Sequence, residues 1–369
     1  MVQKLQYRKM FCTQPFNHID VIVENEILQI QPCNVWSGHR FTGGDYDKYI
    51  KPIQTQLKEN FANGCQICKV NETFNFNSRR ISANQFSKSK NFNTEKIFSV
   101  GLRYGTLCNA RCMICDHTRS TGWIKDAIQL GRHVEPQYVM NKAKMVDIEN
   151  VFKNFDLTHL QYVEFHGGEP LLHSYPEQFL QLFGNESTVV KINTNGSILP
   201  NKNLIKELAK CRRVDILLSI DDIEDRFEIL RYPLKWNKIM HNLEWYKQQD
   251  YRIAVTPTIS TLNVWYLEKF FKWLLANIGT DIYPQFVDLP LYLNIKHLNS
   301  DCKNLLKEQL SLAGNSLQSF TSKIDQDGED YTREMLNYIK KLDTMRNTDF
   351  PTVFKEWYNV IQDSLHRKS

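Results

Sequence analysis

From Lys96 onward the sequence repeats one alternation: a short apolar run of strand composition, then a longer stretch with apolar residues every third or fourth position. This alternation constrains the fold more than any other feature, because strands that return after helical crossovers lie parallel in one sheet with helices packed over it. The strand candidates are Phe98–Tyr104, Gln161–Phe165, Thr188–Asn193, Val214–Ser219, Arg252–Thr258 and Ile282–Val287. Between and after them, Thr121–Leu130, Val146–Phe155, Pro176–Phe183, Asn203–Cys211, Trp236–Gln249 and Val264–Ile278 read as helices. Six such strands predict an α/β fold, a partial (βα)6 TIM-like barrel over residues 95–290. Residues just beyond each strand would then share one opening.

At the first of these strand ends lies LCNARCMICD, Leu107 to Asp116, with Cys108, Cys112 and Cys115 spaced Cys-x3-Cys-x2-Cys. A closed structural metal site uses four protein ligands, so three thiolates leave one position for something that is not protein. The second strand runs into His166-Gly167-Gly168-Glu169-Pro170, whose paired glycines let backbone amides approach a charged group closely. Asn193 and Asn195 follow the third strand, and Ser219, Asp221 and Asp222 the fourth. Ser219 and Asp221 could hydrogen-bond a ribose or an amino acid, and Asp222 has the alternative of capping the next helix. Arg226 and Arg231 are carboxylate-clamp candidates, with surface ion pairs as the alternative. Thr258, Ser260 and Asn263 are possible polar liners of the opening. For His117 and His166 packing or a supporting hydrogen bond outweighs a catalytic reading.

A second cysteine group, Cys12, Cys33, Cys65 and Cys68, precedes the barrel. Ile19–Val23 and Ile27–Ile30 around Glu24-Asn25-Glu26 read as a β-hairpin, which would bring Cys12 and Cys33 to its open end. Ile50, Ile53, Leu57 and Phe61 share one helical face, and the Asn63-Gly64 beyond it delivers Cys65-x2-Cys68. Four thiolates make a closed site, and the ligands themselves leave zinc and an iron-sulfur cluster both open. Polar Ser82–Asn93 reads as an exposed linker, which divides residues 1–90 from 95–290. Beyond Leu289, Lys303–Leu312, Tyr331–Leu342 and Val353–Leu365 predict a helical C-terminal extension over 291–369. Cys211 and Cys302 stand alone and read as small packed or surface residues.

The 369 residues, 42% of them hydrophobic, are enough for two cores. The net charge of +5 comes from 46 basic and 41 acidic residues spread along the chain, which favours a mixed solvated surface over nucleic-acid binding. MVQKLQYRKM has no apolar leader core, and Trp265–Ile278 is interrupted by Glu268, Lys269 and Lys272, so a cytoplasmic protein without membrane contact is expected. Nine cysteines in that setting predict metal or catalytic thiols rather than disulfides.

The Cys108-Cys112-Cys115 spacing together with Gly167-Gly168-Glu169-Pro170 resembles the signatures of the radical S-adenosylmethionine (SAM) superfamily. Ile114 departs from the aromatic residue often found there. The resemblance implies a 4Fe-4S cluster on the three cysteines, SAM on its fourth iron, and the methionyl amino group held by the Gly-Gly-Glu-Pro turn. It further implies that Ser219 contacts SAM with Asn193 and Asn195 near it, and it ranks Arg231 above Arg226. The N-terminal cysteines resemble the twitch module, a relative of SPASM that binds an auxiliary 4Fe-4S cluster, in the form seen in phage-type radical SAM proteins. Here the module precedes the barrel, and Leu28 stands where a glycine is usual. Glu72, Ser78 and Arg79 come after the last cysteine as in some of those proteins. The resemblance thereby implies an oxidoreductase or maturase acting on a peptide, a protein side chain or a small metabolite. Electrons would come from a flavodoxin or ferredoxin, and the auxiliary cluster would pass them to or from the substrate. The alternatives are the same enzyme with structural zinc at the N-terminal site, or a metal-stabilised scaffold without chemistry.

Overall fold

The computed structural model describes residues 12–24, 27–42, 46–57, 61–73, 78–88, 96–136, 147–312 and 318–367. Nine strands are described: β1 His18–Glu24, β2 Ile27–Gln31, β3 Ser99–Tyr104, β4 Tyr162–His166, β5 Val189–Thr194, β6 Arg213–Leu218, β7 Tyr251–Val255, β8 Thr258–Ile259 and β9 Gln285–Phe286. Seven of them form a mainly parallel sheet in the order β2-β1-β3-β4-β5-β6-β7. The fold is α/β, of the partial TIM-like kind, with a helical C-terminal part. By contacts the chain divides into two compact units. One comprises Met1–Leu107, Met140–Asn193 and Pro200–Asp215; the other comprises Cys108–Val139, Thr194–Leu199 and Ile216–Ser369.

In the first unit, β1 and β2 form the expected hairpin, with Val21 opposite Ile30. Its outer partner was not legible in the sequence: β1 also pairs parallel with β3, His18 beside Ser99 through Val23 beside Tyr104. The hairpin therefore extends the same sheet that carries β4, and the described residues do not place it in a separate layer. Strand pairing gives this sheet two unlike faces. Val21, Leu102 and Phe165 fall on one face, and Phe165 stacks edge-on against Phe179 from the helix Tyr175–Phe183. On the other face Asp20, Gly101, Glu164 and Lys191 align across four strands, flanked by the aligned row His18, Ser99 and Tyr162 and by the aligned pair Arg103 and His166. One sheet face is a packed core and the other is polar.

The helix Tyr46–Gln56 forms where the apolar spacing predicts it. Ile50, Ile53 and Leu57 bury against Cys12 and Ala62. The linker expected over Ser82–Asn93 is corrected in part, since Arg79–Lys88 is helical and Ala83 is buried; residues 89–93 lie outside the described residues. A mainly polar composition is compatible with a helix whose polar side chains lie on its solvated face. Val146, the expected start of a helix, also lies outside them, and the helix is seen at Ile148–Phe152.

In the second unit the expected fifth strand ends early, at Val255, and Thr258–Ile259 pairs instead with Gln285–Phe286 in a separate two-stranded sheet. Ile282 keeps only an isolated bridge to Val255, so the sixth expected strand shrinks to two residues. Pro257 and Pro284 punctuate both runs, and proline supplies no N–H for a ladder. The C-terminal helices are Ser300–Leu312, Gln318–Ile324, Thr332–Arg346 and Lys355–His366. Cys302 is buried with its sulfur 3.2 Å from Ser364 Oγ, and the Cys211 thiol donates to Glu207 O. Among the described residues no helix is long and apolar enough to cross a membrane.

Candidate functional site

The three-cysteine loop is fixed by its own backbone. Met113 N–H donates to Leu230 O at 2.8 Å, Arg111 N–H to Tyr232 O at 2.6 Å, and Cys115 N–H back to Cys112 O at 3.0 Å. Trp123, fully buried, donates its indole N–H to Cys112 O at 2.8 Å, and Ser120 Oγ donates to Ala110 O at 2.6 Å. The C-terminal helix Thr332–Arg346 joins this support. Tyr338 donates its hydroxyl to Met113 O, and Arg346 pairs with Asp126 at 2.9 Å while lying over the Trp123 ring. Asp126 also binds Arg111 at 2.8 Å. A charged helix and a buried carboxylate thus stiffen a loop that has no regular structure of its own.

Around Cys108 and Cys112 the polar contacts are donors, while the Cys115 thiol itself donates to Asp116 O at 3.8 Å. Ala110 N–H reaches Cys108 Sγ at 3.4 Å, Asn195 Nδ2 lies 3.9 Å from the same sulfur, and Arg231 Nη1 lies 3.8 Å from Cys112 Sγ. Asn195 is oriented by Asn109 Oδ1 at 2.8 Å. Burial pushes the Cys112 thiol up to about 11, with Cys108 and Asp221 adding to the rise and Arg231 opposing it. Cys115 is raised further, by burial first and then by Cys112. Cys112 and Cys115, each raised by burial and by neighbouring sulfur, resist ionising together unless a positive centre joins them. The donor set, sulfur with N–H and guanidinium around it, fits an iron-sulfur cluster bound through three thiolates. No three Cys, His, Asp or Glu side chains among the described residues close tightly enough to hold a single metal ion.

Asp221 sits beneath Arg231 rather than open to a ligand. Arg231 Nη2 contacts Asp221 Oδ2 at 2.9 Å, and Thr258 N–H donates to Asp221 Oδ1 at 2.8 Å. Both partners are buried, so the guanidinium is held where its other edge meets Cys112. Arg226 is no surface ion pair: it is buried, pairs with Asp222 at 2.9 Å and lies over the Tyr266 ring. Asp222 accepts from Ile223 N–H ahead of the helix Glu224–Leu230, and burial pushes its carboxyl up to about 6. Ser260 and Asn263 are buried and occupied with each other and with Asp221 O and Thr258 O, so they lock a turn instead of lining an opening. Ser219 is half-buried, with its N–H on Thr194 O.

In the first unit the turn after β4 is built against the residue that precedes Cys108. Glu169 N–H donates to Leu107 O at 2.8 Å, and a Cβ on Gly168 would stand 2.2 Å from that same oxygen. Gly167 has φ +146°, open to glycine alone. Glu169 is fully buried and caps the short turn Pro170–Leu172 by accepting from Leu171 N–H. Asn193 donates to Glu164 Oε1 at 2.8 Å, on the polar sheet face. There His166 Nε2 lies 3.1 Å from Asp20 Oδ1, whose partner oxygen accepts from Gln31 at 2.6 Å. His117 is buried, 3.6 Å from Glu135.

The four N-terminal cysteines border one pocket enclosing about 390 Å³ of space, part of it open to solvent, together with Trp36 and Arg79. Backbone groups at Gln14 and Val35 bond Cys12 and Cys33, and those of Arg79 and Arg80, at a helix N-terminus, bond Cys68. Burial pushes Cys12 up to about 12 and Cys65 up to about 11, and Cys68 raises both. This donor set too fits a thiolate-bound centre. Asp20, Glu164, Tyr338 and Arg346 do not stand out in the sequence. Alternating Tyr162-x-Glu164-x-His166 within an apolar strand is the available signal for one of them.

Residues 102–274 match the Radical SAM superfamily model, which makes that stretch a Radical SAM superfamily domain. No curated protein matches the chain. Among solved structures the chain is similar to anSMEcpe with bound AdoMet and Cp18Cys peptide, at 17% identity and TM-score 0.42 over 66% of this chain and 65% of that one. It is also similar to Streptococcus suis SuiB bound to S-adenosylmethionine, at 12% identity and TM-score 0.35 over 90% of this chain and 69% of that one. SuiB bound to precursor peptide SuiA gives 12% identity and TM-score 0.36 over 92% and 73%. The chain thus spans just under two thirds of the anSMEcpe chain.

Proposed function

We propose that this protein is a radical SAM enzyme that acts on a peptide, a protein side chain or a small metabolite, with a second 4Fe-4S cluster on its N-terminal cysteines. The observation that carries the reading is the three-cysteine loop, braced from several elements, with N–H and guanidinium donors at the Cys108 and Cys112 sulfurs. Cys108, Cys112 and Cys115 would hold the cluster. When bound, cluster and SAM supply a one-electron reductive cleavage of a carbon-sulfur bond, giving methionine and a 5'-deoxyadenosyl radical for hydrogen abstraction. Arg231 steadies the charge at Cys112, and Asp221 keeps Arg231 in place. By the family resemblance, Gly167, Gly168, Glu169 and Pro170 would be the residues for the methionyl end of SAM, and Ser219, Asn193 and Asn195 are assigned to the same cofactor. The bracing by Trp123, Tyr338 and Arg346 keeps water and stray hydrogen donors from the loop.

Cys12, Cys33, Cys65 and Cys68 form the auxiliary site in this reading, within an N-terminal module of residues 1–90. A fully thiolate-ligated centre held there would supply electron transfer with the substrate, and the first reductant would be of the flavodoxin or ferredoxin type. Anaerobic reconstitution of the wild type should give about eight irons per chain, falling to about four when Cys108, Cys112 and Cys115 are all Ala. Cys112→Ala should abolish SAM cleavage, and unchanged turnover in that variant would end the proposal.

A further inference from the structure

We propose that Arg79 sets the reduction potential of the iron-sulfur centre on Cys12, Cys33, Cys65 and Cys68, and that Glu164 on β4 determines how much of the Arg79 charge that centre feels. The inference rests on the auxiliary-cluster reading and concerns residues of this chain around that site. Two arginines border the four-cysteine pocket, and they are held differently. Arg80 is clasped by Glu72, Nε to Oε1 at 2.8 Å and Nη2 to Oε2, while Ser78 Oγ donates to Oε1 at 2.6 Å. Its charge is met locally.

Arg79 has a looser and more divided partner. Its Nη2 stands 3.3 Å from Glu164 Oε2, and among the described residues neither Arg79 Nε nor Glu164 Oε2 has a hydrogen-bond partner. Glu164 is shared as well, accepting from Asn193 at Oε1 and drawn also by Lys191, its neighbour on β5. Glu164 is divided between two cations and Asp20 adds a second, more weakly felt carboxylate, so the Arg79 charge is less closely matched than that of Arg80, inside a pocket wall where charge is weakly screened. A fixed positive charge beside a thiolate-bound centre favours the state with one more electron, and charge and hydrogen bonds at the sulfurs are what set such potentials. The Arg79 backbone adds to this, since it bonds Cys68 from the helix N-terminus. A purely structural ion pair tying the helix Arg79–Lys88 to β4 would instead affect stability and leave the potential alone.

The test uses the full chain with Cys108, Cys112 and Cys115 replaced by Ala and reconstituted with iron and sulfide, so that only the N-terminal centre is titrated. Potentiometry followed by electron paramagnetic resonance is then run on this background and on Arg79→Gln, Arg79→Lys and Glu164→Gln. Arg252→Gln, at an exposed ion pair with Asp281, is the control. Arg79→Gln should lower the ratio of reduced to oxidised centre about tenfold at fixed potential, which is about 59 mV for a one-electron couple. Arg79→Lys should recover most of that shift, Glu164→Gln should move the potential the opposite way, and Arg252→Gln should leave it in place. About four irons in Arg79→Gln with an unmoved potential would overturn the role of Arg79 and leave the auxiliary-cluster reading standing. A potential that falls in Glu164→Gln would overturn it equally. Zinc in place of iron in the background protein would overturn both together.

Discussion

Gly168→Ala probes the junction on which the proposed cofactor site depends. A Cβ there would stand 2.2 Å from Leu107 O, 2.7 Å from Leu107 C and 2.8 Å from Thr106 C. All three atoms are backbone, so no side chain can rotate away. Carbon contacts settle near 3.5 Å, so the two segments must part by about 1.3 Å. That separation would also stretch the 2.8 Å bond from Glu169 N–H to Leu107 O. Overpacking of this kind costs about 1–3 kcal/mol, which in a large domain lowers Tm by about 2–12 °C. Because Leu107 is bonded to Cys108, the retreat reaches the first proposed cluster ligand, and a misplacement of about 1 Å costs on the order of 100-fold in rate. The assay is SAM cleavage under reducing conditions with iron counted in the same samples. Gly131→Ala runs alongside, where the φ of +72° strains the backbone but nothing lies within 4 Å of the added carbon. Cleavage within twofold of wild type at unchanged Tm in Gly168→Ala would refute the reasoning.

Arg231→Met should leave the buried Asp221 carboxylate with the Thr258 N–H but no cation. Breaking a buried pair in this way costs about 3–5 kcal/mol, readable as a lower denaturant midpoint of the metal-free protein; a loss under about 1 kcal/mol would mean that water reaches the pair. His18 is buried, and its burial, with the Arg79 charge second, pushes its pKa down to about 3 from 6.5. The folded state thus keeps His18 neutral while the unfolded chain takes up a proton below pH 6.5. Its contribution is intact above the unfolded pKa and falls by about 1.4 kcal/mol per pH unit as the pH drops toward about 3. Unfolding curves at about pH 7 and about pH 5 should show this slope in the wild type and a flatter one in His18→Asn; equal slopes would mean that His18 is protonated in the fold.

The strands, most helices and both cysteine groups were legible in the sequence because each depends on local spacing. Short apolar runs made β3 to β7 visible, and Ile50, Ile53 and Leu57 marked an apolar face that does bury. The same local reading failed where nonlocal pairing decides the outcome. The Ile282–Val287 run has strand composition, yet only two of its residues form a ladder, with Thr258–Ile259, and Ile282 keeps a single bridge to Val255. Ser82–Lys88 is polar, yet helical. Ser260 and Asn263 are residue types suited to a cavity wall, but a turn already uses their hydrogen bonds.

The sequence alone determined which atoms are available for chemistry: seven sulfurs in two groups, and a Gly-Gly-Glu-Pro turn after the second barrel strand. Residue type and spacing along one segment settle that much. Only the tertiary structure decided what surrounds them. Parallel pairing of β1 with β3 put Asp20 beside Gly101, and the next pairing put Glu164 there as well. Chain folding brought Tyr338 and Arg346 under a loop more than two hundred residues earlier. Such neighbours arise from strand register and helix packing between distant segments, and no single stretch of sequence encodes their distance.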